Sequence, residues 1–233
     1  DAVKFQMFRA TELTTADAVT AAYQRQGCGT KSQREMLARL ELTESDFERI
    51  LERCEQVGVA LVITPFGAGD VASTLALGAN AERPHGLKPA ARSVAAIKIA
   101  STDLTNGPLL DAAGATGLPL ILSTGASTAE EIGEALAGLA RRGTIERLIL
   151  LHCVSCYPTP VAAANLRAIA ALRREFGVPV GLSDHTTSVE TGGWAVAAGA
   201  CVLEKHFTLD QAASGPDHAM SLTPVQLAEY IRK

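Results

Sequence analysis

Seven short apolar runs recur along this chain of 233 residues, and stretches with helical periodicity separate most of them. The runs are continuous rather than alternating, which is typical of parallel strands whose outer face is covered by helices. The candidate strands are DAVKF (1–5), VALVI (59–63), VAAIKIA (94–100), LPLIL (118–122), RLILL (147–151), VPVGL (178–182) and CVLEK (201–205).

Two of the intervening stretches carry clear helix boundaries. The stretch 128–143 begins at Thr128 as N-cap and stops at Gly143, and the stretch 165–177 stops at Gly177. Alternating strands and helices predict an α/β fold. With neither a G-x-G-x-x-G motif nor a Walker loop, a (β/α)8 TIM-type barrel is favoured over a doubly wound sheet, although alternation alone does not separate the two.

A complete barrel typically needs ~250 residues. This chain opens directly on a strand, so we expect that the first strand and helix of the barrel are lacking. The segment 67–93 is longer than an ordinary crossover and predicts a helix followed by an irregular loop, in which His85 is expected at the surface.

Composition excludes several classes of protein. Hydrophobic residues make up 47% and charged residues 20%, which excludes a disordered chain. The net charge is -4 and the sequence has no basic run, so nothing in it indicates a positively charged surface that would bind nucleic acid or an anionic membrane. No apolar stretch reaches the ~18 residues of a membrane span and the first residues do not resemble a signal peptide, so we expect a soluble, cytoplasmic protein.

The five cysteines are too few and too scattered for a disulfide framework, so reduced thiols are expected. Cys153 and Cys156 form a C-x-x-C pair, but no second pair completes a four-cysteine zinc site. A structural role is favoured for this pair, and a redox or zinc role is the alternative.

Polar residues fall at or just beyond the ends of the predicted strands, where the active sites of such barrels gather. These residues are Lys4, Gln6, Thr64, Lys98, Ser101, Ser123, Thr124, His152, Ser155, Ser183, His185, Glu204 and His206. Lys4 and Lys98 interrupt apolar strands, where an unpaired ammonium group is costly to bury. They need an anion, either a carboxylate of a neighbouring strand or, as we favour, a phosphorylated or carboxylated ligand.

His185 and His206 lie one strand–helix unit apart, so they should stand at the mouths of adjacent strands. There they either share a divalent metal or are hydrogen-bonded structural residues, and the spacing alone does not decide between the two. Two imidazoles with oxygen donors suit Mn, Fe or Zn better than Mg or Ca. The neighbouring acids Asp184 and Glu204 are further ligands, partners of the ligands or ordinary strand-end acids. Asp217 either caps its turn or belongs to the site.

Taken together, these motifs closely resemble the sialic acid synthase family, whose members condense phosphoenolpyruvate (PEP) with an N-acylated amino sugar. The matching segments follow the family order along nearly the whole chain. They are VKFQ (3–6), SQREML (32–37), TPF (64–66), IKIAS (97–101), DLTNGPLL (103–110), LPLILSTG (118–125), LLHCVSCYPTP (150–160), NLRAI (165–169), GLSDHT (181–186), EKHFTLD (204–210) and GPDHAMSLTP (215–224).

The resemblance implies a transferase whose barrel holds the phosphate and carboxylate of PEP through Lys4, Thr64, Lys98, Ser101, Ser123 and Ser183. It implies that His185 and His206 bind a divalent metal, Mn first, with Mg, Co or Fe as alternatives. Asp103 matches the family's acid that activates water, although that acid is usually Glu. Tyr157 and Asp217 match positions that contact the sugar, Gln6 lies in the VKFQ segment, and Ser155 replaces an asparagine of some members.

The same resemblance implies one PEP-condensing barrel domain over residues 1–233, incomplete at its N-terminus and without the family's C-terminal antifreeze-like domain. The full-length protein is then expected to be a homodimer acting on small molecules, with no nucleic acid or membrane partner. The acceptor is N-acetylmannosamine or a similar sugar; the alternatives are the acceptor of a legionaminic acid synthase or a catalytically impaired PEP-binding fragment.

Overall fold

The computed structural model describes residues 1–77 and 94–233, and a single seven-stranded sheet runs through them. All six neighbouring pairs are parallel, and the order of strands in the sheet follows the chain. The strands are β1 (Ala2–Met7), β2 (Ala60–Pro65), β3 (Ala96–Ile99), β4 (Leu120–Ser123), β5 (Leu148–His152), β6 (Val180–Asp184) and β7 (Leu203–Lys205). All seven predicted strands are therefore confirmed, with boundaries displaced by one or two residues.

Helices connect the strands, as the α/β prediction requires. In the described parts of the chain they are α1 (Ala10–Leu13), α2 (Ala22–Cys28), α3 (Gln33–Ala38), α4 (Glu44–Val57), α5 (Ala68–Ala76), α6 (Gly107–Ala115), α7 (Ala129–Ala140), α8 (Arg167–Phe176), α9 (Thr191–Ala197) and α10 (Pro224–Arg232). Thr128 caps α7, and Gly177 ends α8 in the left-handed conformation, both as predicted. The predicted stop at Gly143 is wrong, because α7 already ends at Ala140 and Arg141 is its C-cap.

The two faces of the sheet differ in chemistry. The outer face carries fully buried aliphatic side chains such as Ile97, Leu120 and Leu150, which pack with helix residues including Leu109 and Ile132. Burying each large aliphatic side chain contributes roughly 2 kcal/mol. Side chains alternate along a strand, so the polar residues of the opposite, inner face line up across the register. The inner face carries Lys4, Gln6, Thr64, Lys98, Ser123, Ser183 and Glu204.

The sheet is curled, because side chains from its first and last strands meet across the inner face. Lys4 Nζ of β1 lies 3.3 Å from Glu204 Oε2 of β7, although these strands stand at opposite ends of the strand order. A curled parallel sheet with outer helices agrees with the barrel-type architecture expected from the sequence. That the first strand and helix of the barrel are lacking stays a prediction.

The segment 67–93 begins with α5, so its predicted helix is confirmed. The predicted irregular loop and His85 lie outside the described residues. The four cysteines whose state the structure gives, Cys54, Cys153, Cys156 and Cys201, are free thiols, as expected. None of the helices in residues 1–77 and 94–233 combines the length and apolar character needed to cross a membrane.

Candidate functional site

Two lysines of the inner face share one carboxylate. Glu204 lies 3.3 Å from Lys4 Nζ through Oε2 and 3.9 Å from Lys98 Nζ through Oε1. The Lys98 side chain is only 4% exposed and that of Glu204 18%. Both lysines therefore face a protein carboxylate, although Glu204 belongs to β7, which is not next to β1 or β3 in the sheet. Two ammonium groups against one carboxylate still leave a net positive charge facing the interior.

The protonation states follow from burial and from these neighbours. Burial raises the pKa of Glu204, but the charges of Lys98 and Lys4 and the Ser183 hydrogen bond outweigh it and lower this pKa to about 2. Burial also lowers the pKa of Lys98 to about 8, against the opposing effect of Glu204. Glu204 is thus ionised at neutral pH and Lys98 is mostly protonated, so the charges needed to hold an anion are in place.

Two hydroxyl groups beside this cluster have no hydrogen-bond partner among the described residues. Thr64 and Ser123 are 1% and 3% exposed, and their hydroxyl oxygens are buried and unpaired. Leaving a buried hydroxyl unpaired costs about 1–3 kcal/mol. The unpaired hydroxyls of Thr64 and Ser123, next to a net positive charge, are therefore available to donate hydrogen bonds to a ligand with anionic oxygens.

His185 and His206 come together just beyond the ends of β6 and β7, as the spacing predicted. Their ring centroids are 5.7 Å apart. His185 Nδ1 donates to the Val154 carbonyl at 2.8 Å, so its proton is on Nδ1 and its lone pair on Nε2. Ser183 donates its only hydroxyl proton to Glu204 at 2.7 Å, and the 3.3 Å contact of its oxygen with His185 Nε2 leaves that lone pair available.

Both imidazoles are neutral, which is the state that binds metal ions. Burial lowers the pKa of His185, and burial with the Lys4 charge lowers that of His206 to about 3. The pair fits a cation in its chemistry but supplies only two ligands. No group of three His, Cys, Asp or Glu side chains that could hold a metal occurs within the described ranges.

Asp217 does not cap its turn in the way considered from the sequence. It precedes the 3-10 turn His218–Met220, but its carboxylate accepts no capping hydrogen bond there. Its Oδ2 instead lies 3.6 Å from His206 Nδ1, and burial raises the pKa of this carboxyl. The structure therefore places Asp217 beside the histidine pair.

Tyr157 connects the histidines to the mouth of the site. Its ring centroid is 4.2 Å from that of His185 on one side and 5.4 Å from that of Tyr23 on the other, where the two tyrosine rings stack at 19°. Burial raises the pKa of Tyr157, so its hydroxyl stays protonated and can donate a hydrogen bond. Tyr23 was not predicted, because no motif links the segment before α3 to the strand ends.

The remaining predicted residues lie around this centre without direct contacts to it that the structure shows. Gln6 pairs in register with Thr64 and is exposed. Ser101 and Asp103 form a 3-10 turn directly after β3, and the Asp103 carboxylate accepts hydrogen bonds from Thr102 and Asn106 at 3.1 and 3.2 Å. Ser155 is exposed just beyond β5. Their roles in binding or catalysis remain predictions.

Strand register decides between the two acids left open by the sequence. Ser183 pairs with Glu204 and Asp184 pairs with Lys205, so Glu204 faces the interior while Asp184 faces the outer helices. Glu204 is the central residue that the sequence did not single out. Gly125, just beyond β4, packs tightly against Cys153, because a Cβ at position 125 would come within 2.5 Å of the Cys153 sulfur.

Known proteins similar to this chain belong to one family. The NeuB family profile matches residues 1–83 and 85–233. N,N'-diacetyllegionaminic acid synthases of Legionella pneumophila and Campylobacter jejuni are 36% and 37% identical over 100% and 97% of this chain. The chain spans 62% and 64% of the length of these two relatives.

A solved structure shows the same fold. The crystal structure of the N-acetylneuraminic acid (sialic acid) synthetase of Leptospira borgpetersenii, in complex with citrate, matches with a TM-score of 0.82 and 31% identity. The match covers 99% of this chain and 70% of that one. The chain therefore belongs to the NeuB family, the family of the sialic acid synthases.

Proposed function

We propose that the protein is a metal-dependent transferase that condenses PEP with an N-acylated amino sugar to a nonulosonic acid and releases phosphate. The observation that carries the proposal is the pair Lys4 and Lys98 around Glu204, beside the unpaired hydroxyls of Thr64 and Ser123. PEP carries a phosphate and a carboxylate on three carbons. A compact anion of this kind complements the positive charge and the free donors of the inner face.

In this proposal the chain's residues bind and orient PEP. Lys4, Lys98 and the hydroxyls of Thr64, Ser101 and Ser123 hold its two anionic groups, and Ser183 joins them by turning its proton from Glu204 to the ligand. Carbon 3 of PEP forms a bond to the aldehyde carbon of the open-chain sugar, and the aldehyde oxygen takes up a proton. Water adds to carbon 2 with Asp103 accepting its proton, and phosphate leaves with the former enol oxygen, so the C–O bond breaks.

The acceptor lies at the histidine end of the site. Tyr157 and Asp217 contact the sugar, with Gln6 and Ser155 at the margin of the site. His185, through Nε2, and His206 would hold a divalent cation, Mn with Mg, Co or Fe as alternatives. When bound, that cation supplies Lewis-acid polarisation of the aldehyde oxygen.

The acceptor is either N-acetylmannosamine or a bacillosamine-derived sugar. The identity with two relatives named as N,N'-diacetyllegionaminic acid synthases favours the second. We further propose that residues 1–233 form the PEP-condensing domain of a cytoplasmic homodimer acting on small molecules alone.

The test is phosphate release from PEP with Mn²⁺, using N-acetylmannosamine, a bacillosamine-derived sugar or no sugar. The proposal expects release that depends on sugar, is lost in His206→Ala and after chelation, and carries ¹⁸O from PEP labelled at its enol oxygen. Release without sugar, or unlabelled phosphate, contradicts the mechanism. PEP binding without any release indicates the alternative of a PEP-binding fragment.

A further inference from the structure

A buried ion pair lies on the outer face of the sheet, directly behind the histidines. Lys205 Nζ is 3.0 Å from Asp184 Oδ2, and the two side chains are 4% and 1% exposed. Asp184 and Lys205 are also the last paired residues of β6 and β7. His185 and His206 follow them, so each histidine stands one residue beyond the point where the strand ladder ends.

Lys205 holds the backbone on both sides of His185. Its ammonium group contacts the Asp184 carboxylate before His185 and donates a hydrogen bond to the Thr186 carbonyl after it. Lys205 itself directly precedes His206. A single side chain therefore ties the residues flanking one histidine to the residue preceding the other.

The surroundings keep this arrangement rigid. Asp184 Oδ1 accepts a hydrogen bond from the Thr186 backbone at 2.9 Å, and the ammonium group of Lys205 lies 5.4 Å from the centre of the Tyr230 ring. Gly192 of α9 lets this ring approach, because a Cβ there would come within 2.5 Å of it. The Tyr230 ring therefore covers the Lys205 ammonium group on the side away from the histidines.

Stability alone does not account for a buried ion pair at this position. Desolvation of the two charges offsets most of their attraction, and uncharged side chains of similar size often serve the stability of a fold equally well. The ion pair adds a defined geometry: the Lys205 ammonium group and the Asp184 carboxylate must meet at one distance and angle, which fixes the relative position of the two strand ends. Apart from His152 of β5, the remaining outer-face residues of the strands are apolar, so this ion pair stands out by its place behind the two histidines.

We propose that Asp184 and Lys205 are positioning residues, a clamp that fixes the separation of His185 and His206 for metal binding. The inference rests on the proposed metal-holding role of these histidines. Neither residue of the clamp touches substrate or metal; both act through the backbone that carries the ligands, as partners of metal ligands do in other proteins.

The test compares three proteins in the full chain. The double variant Asp184→Asn with Lys205→Met removes both charges at nearly constant volume and keeps the acceptor for Thr186. The control, Glu190→Gln with Lys233→Met, removes an exposed ion pair of 2.8 Å between α9 and the C-terminus. Mn²⁺ affinity is measured from the electron paramagnetic resonance of the free ion, and stability from thermal unfolding.

The clamp predicts that the double variant folds with a melting temperature near that of the original protein but binds Mn²⁺ about 10-fold more weakly or worse. It also predicts that the ring signals of His185 and His206 in ¹H–¹³C NMR spectra of the metal-free double variant are shifted. In the control variant, both the Mn²⁺ affinity and these ring signals should stay unchanged. Unchanged Mn²⁺ affinity and ring signals in a stably folded double variant overturn the proposal. If the double variant melts below the assay temperature, Asp184→Asn with Lys205→Gln, which also removes both charges and keeps a donor for the Thr186 carbonyl, is judged by the same two measurements.

Failure of the proposed function gives a different pattern. If His206→Ala leaves Mn²⁺ binding of the original protein unchanged, the histidines do not hold the metal and the proposed function fails at that point. The ring signals of the metal-free protein then decide about the clamp. Shifts in the double variant but not in the control support it, and identical spectra overturn it.

Discussion

Thr64 and Thr159 are both buried threonines of this protein, but their hydroxyls have different surroundings. The Thr159 hydroxyl donates to the Cys156 carbonyl at 2.7 Å, whereas that of Thr64 is unpaired among the described residues. We expect Thr159→Val to lose about 1 kcal/mol of unfolding free energy, and Thr64→Val to lose none or to gain stability. Urea unfolding of both variants measures the difference.

The same Thr64→Val variant should bind PEP roughly 10- to 100-fold more weakly, because a hydrogen bond to a charged group contributes about 1.5–3 kcal/mol. Calorimetric titration with PEP measures this loss, and Thr159→Val is the matched control. Equal stability losses in the two variants, together with unchanged PEP affinity for Thr64→Val, would show that Thr64 is an ordinary core residue.

Removing the central carboxylate should cost much more than removing an exposed one. Glu204→Gln leaves the nearly buried Lys98 without its counter-charge, and breaking such a pair from one side costs about 3 kcal/mol. Glu190→Gln, in an exposed pair, should cost less than about 1 kcal/mol. Chemical unfolding at pH 7 compares the two, and similar losses would contradict the assignment of Glu204 as the charge that balances the inner face.

Among the elements, α7 has a complete capping box. Thr128 accepts from the Glu131 backbone at 3.3 Å, and the Glu131 carboxylate accepts from the Thr128 backbone at 2.8 Å. Thr128→Ala should lower the unfolding free energy by about 1 kcal/mol, while Thr128→Ser keeps the acceptor and most of the stability. Urea unfolding of both variants is the measurement; a loss of equal size in Thr128→Ser would point to the methyl group of Thr128 instead of the cap.

The strands were predictable because a parallel strand covered by helices must be apolar over several consecutive residues, as in LPLIL and RLILL. The short helices before residue 39 were not predicted. α1 has four residues and its N-cap side chain makes no capping bond, so neither periodicity nor a boundary residue marks it.

For the site, the positions of Lys4, Lys98, His185 and His206 in or just beyond predicted strands were enough to predict them as site residues. The structure places the two lysines against Glu204 and the two histidines against each other. The distinction between Asp184 and Glu204 could not be made, because it depends on which face of a strand each residue occupies. That choice is set by the register of β6 against β7 and by the curl that brings β1 near β7, and both involve residues far apart in sequence.

For the whole molecule, the pH dependence of stability follows from its neutral histidines. Burial lowers the pKa values of His152, His185 and His206 below the 6.5 of an unfolded histidine. Below pH 6.5 the unfolded chain therefore binds more protons than the folded one, and stability falls as the pH falls. Each histidine adds up to about 1.4 kcal/mol per pH unit. Glu204, with its pKa lowered from 4.5 to about 2, adds to the loss below pH 4.5.

Urea unfolding between pH 8 and pH 5, with a chelator present, measures this dependence. The original protein should lose stability steadily below pH 6.5, and His206→Gln should show a flatter curve. Stability that stays constant from pH 7 to pH 5 would mean that the three histidines take up protons over the same pH range in the folded and unfolded chains, so that burial does not lower their pKa values.

The division of the sheet into an aliphatic outer face and a polar inner face bears on how such a protein can evolve. Folding draws mainly on residues such as Ile97 and Leu122, while chemistry draws on their neighbours Lys98 and Ser123, which point the other way. A library diversified at inner positions around the acceptor should therefore stay largely folded while its substrate preference drifts. For the proposed transferase, we therefore expect single substitutions at the inner face to change the sugar specificity without rebuilding the core.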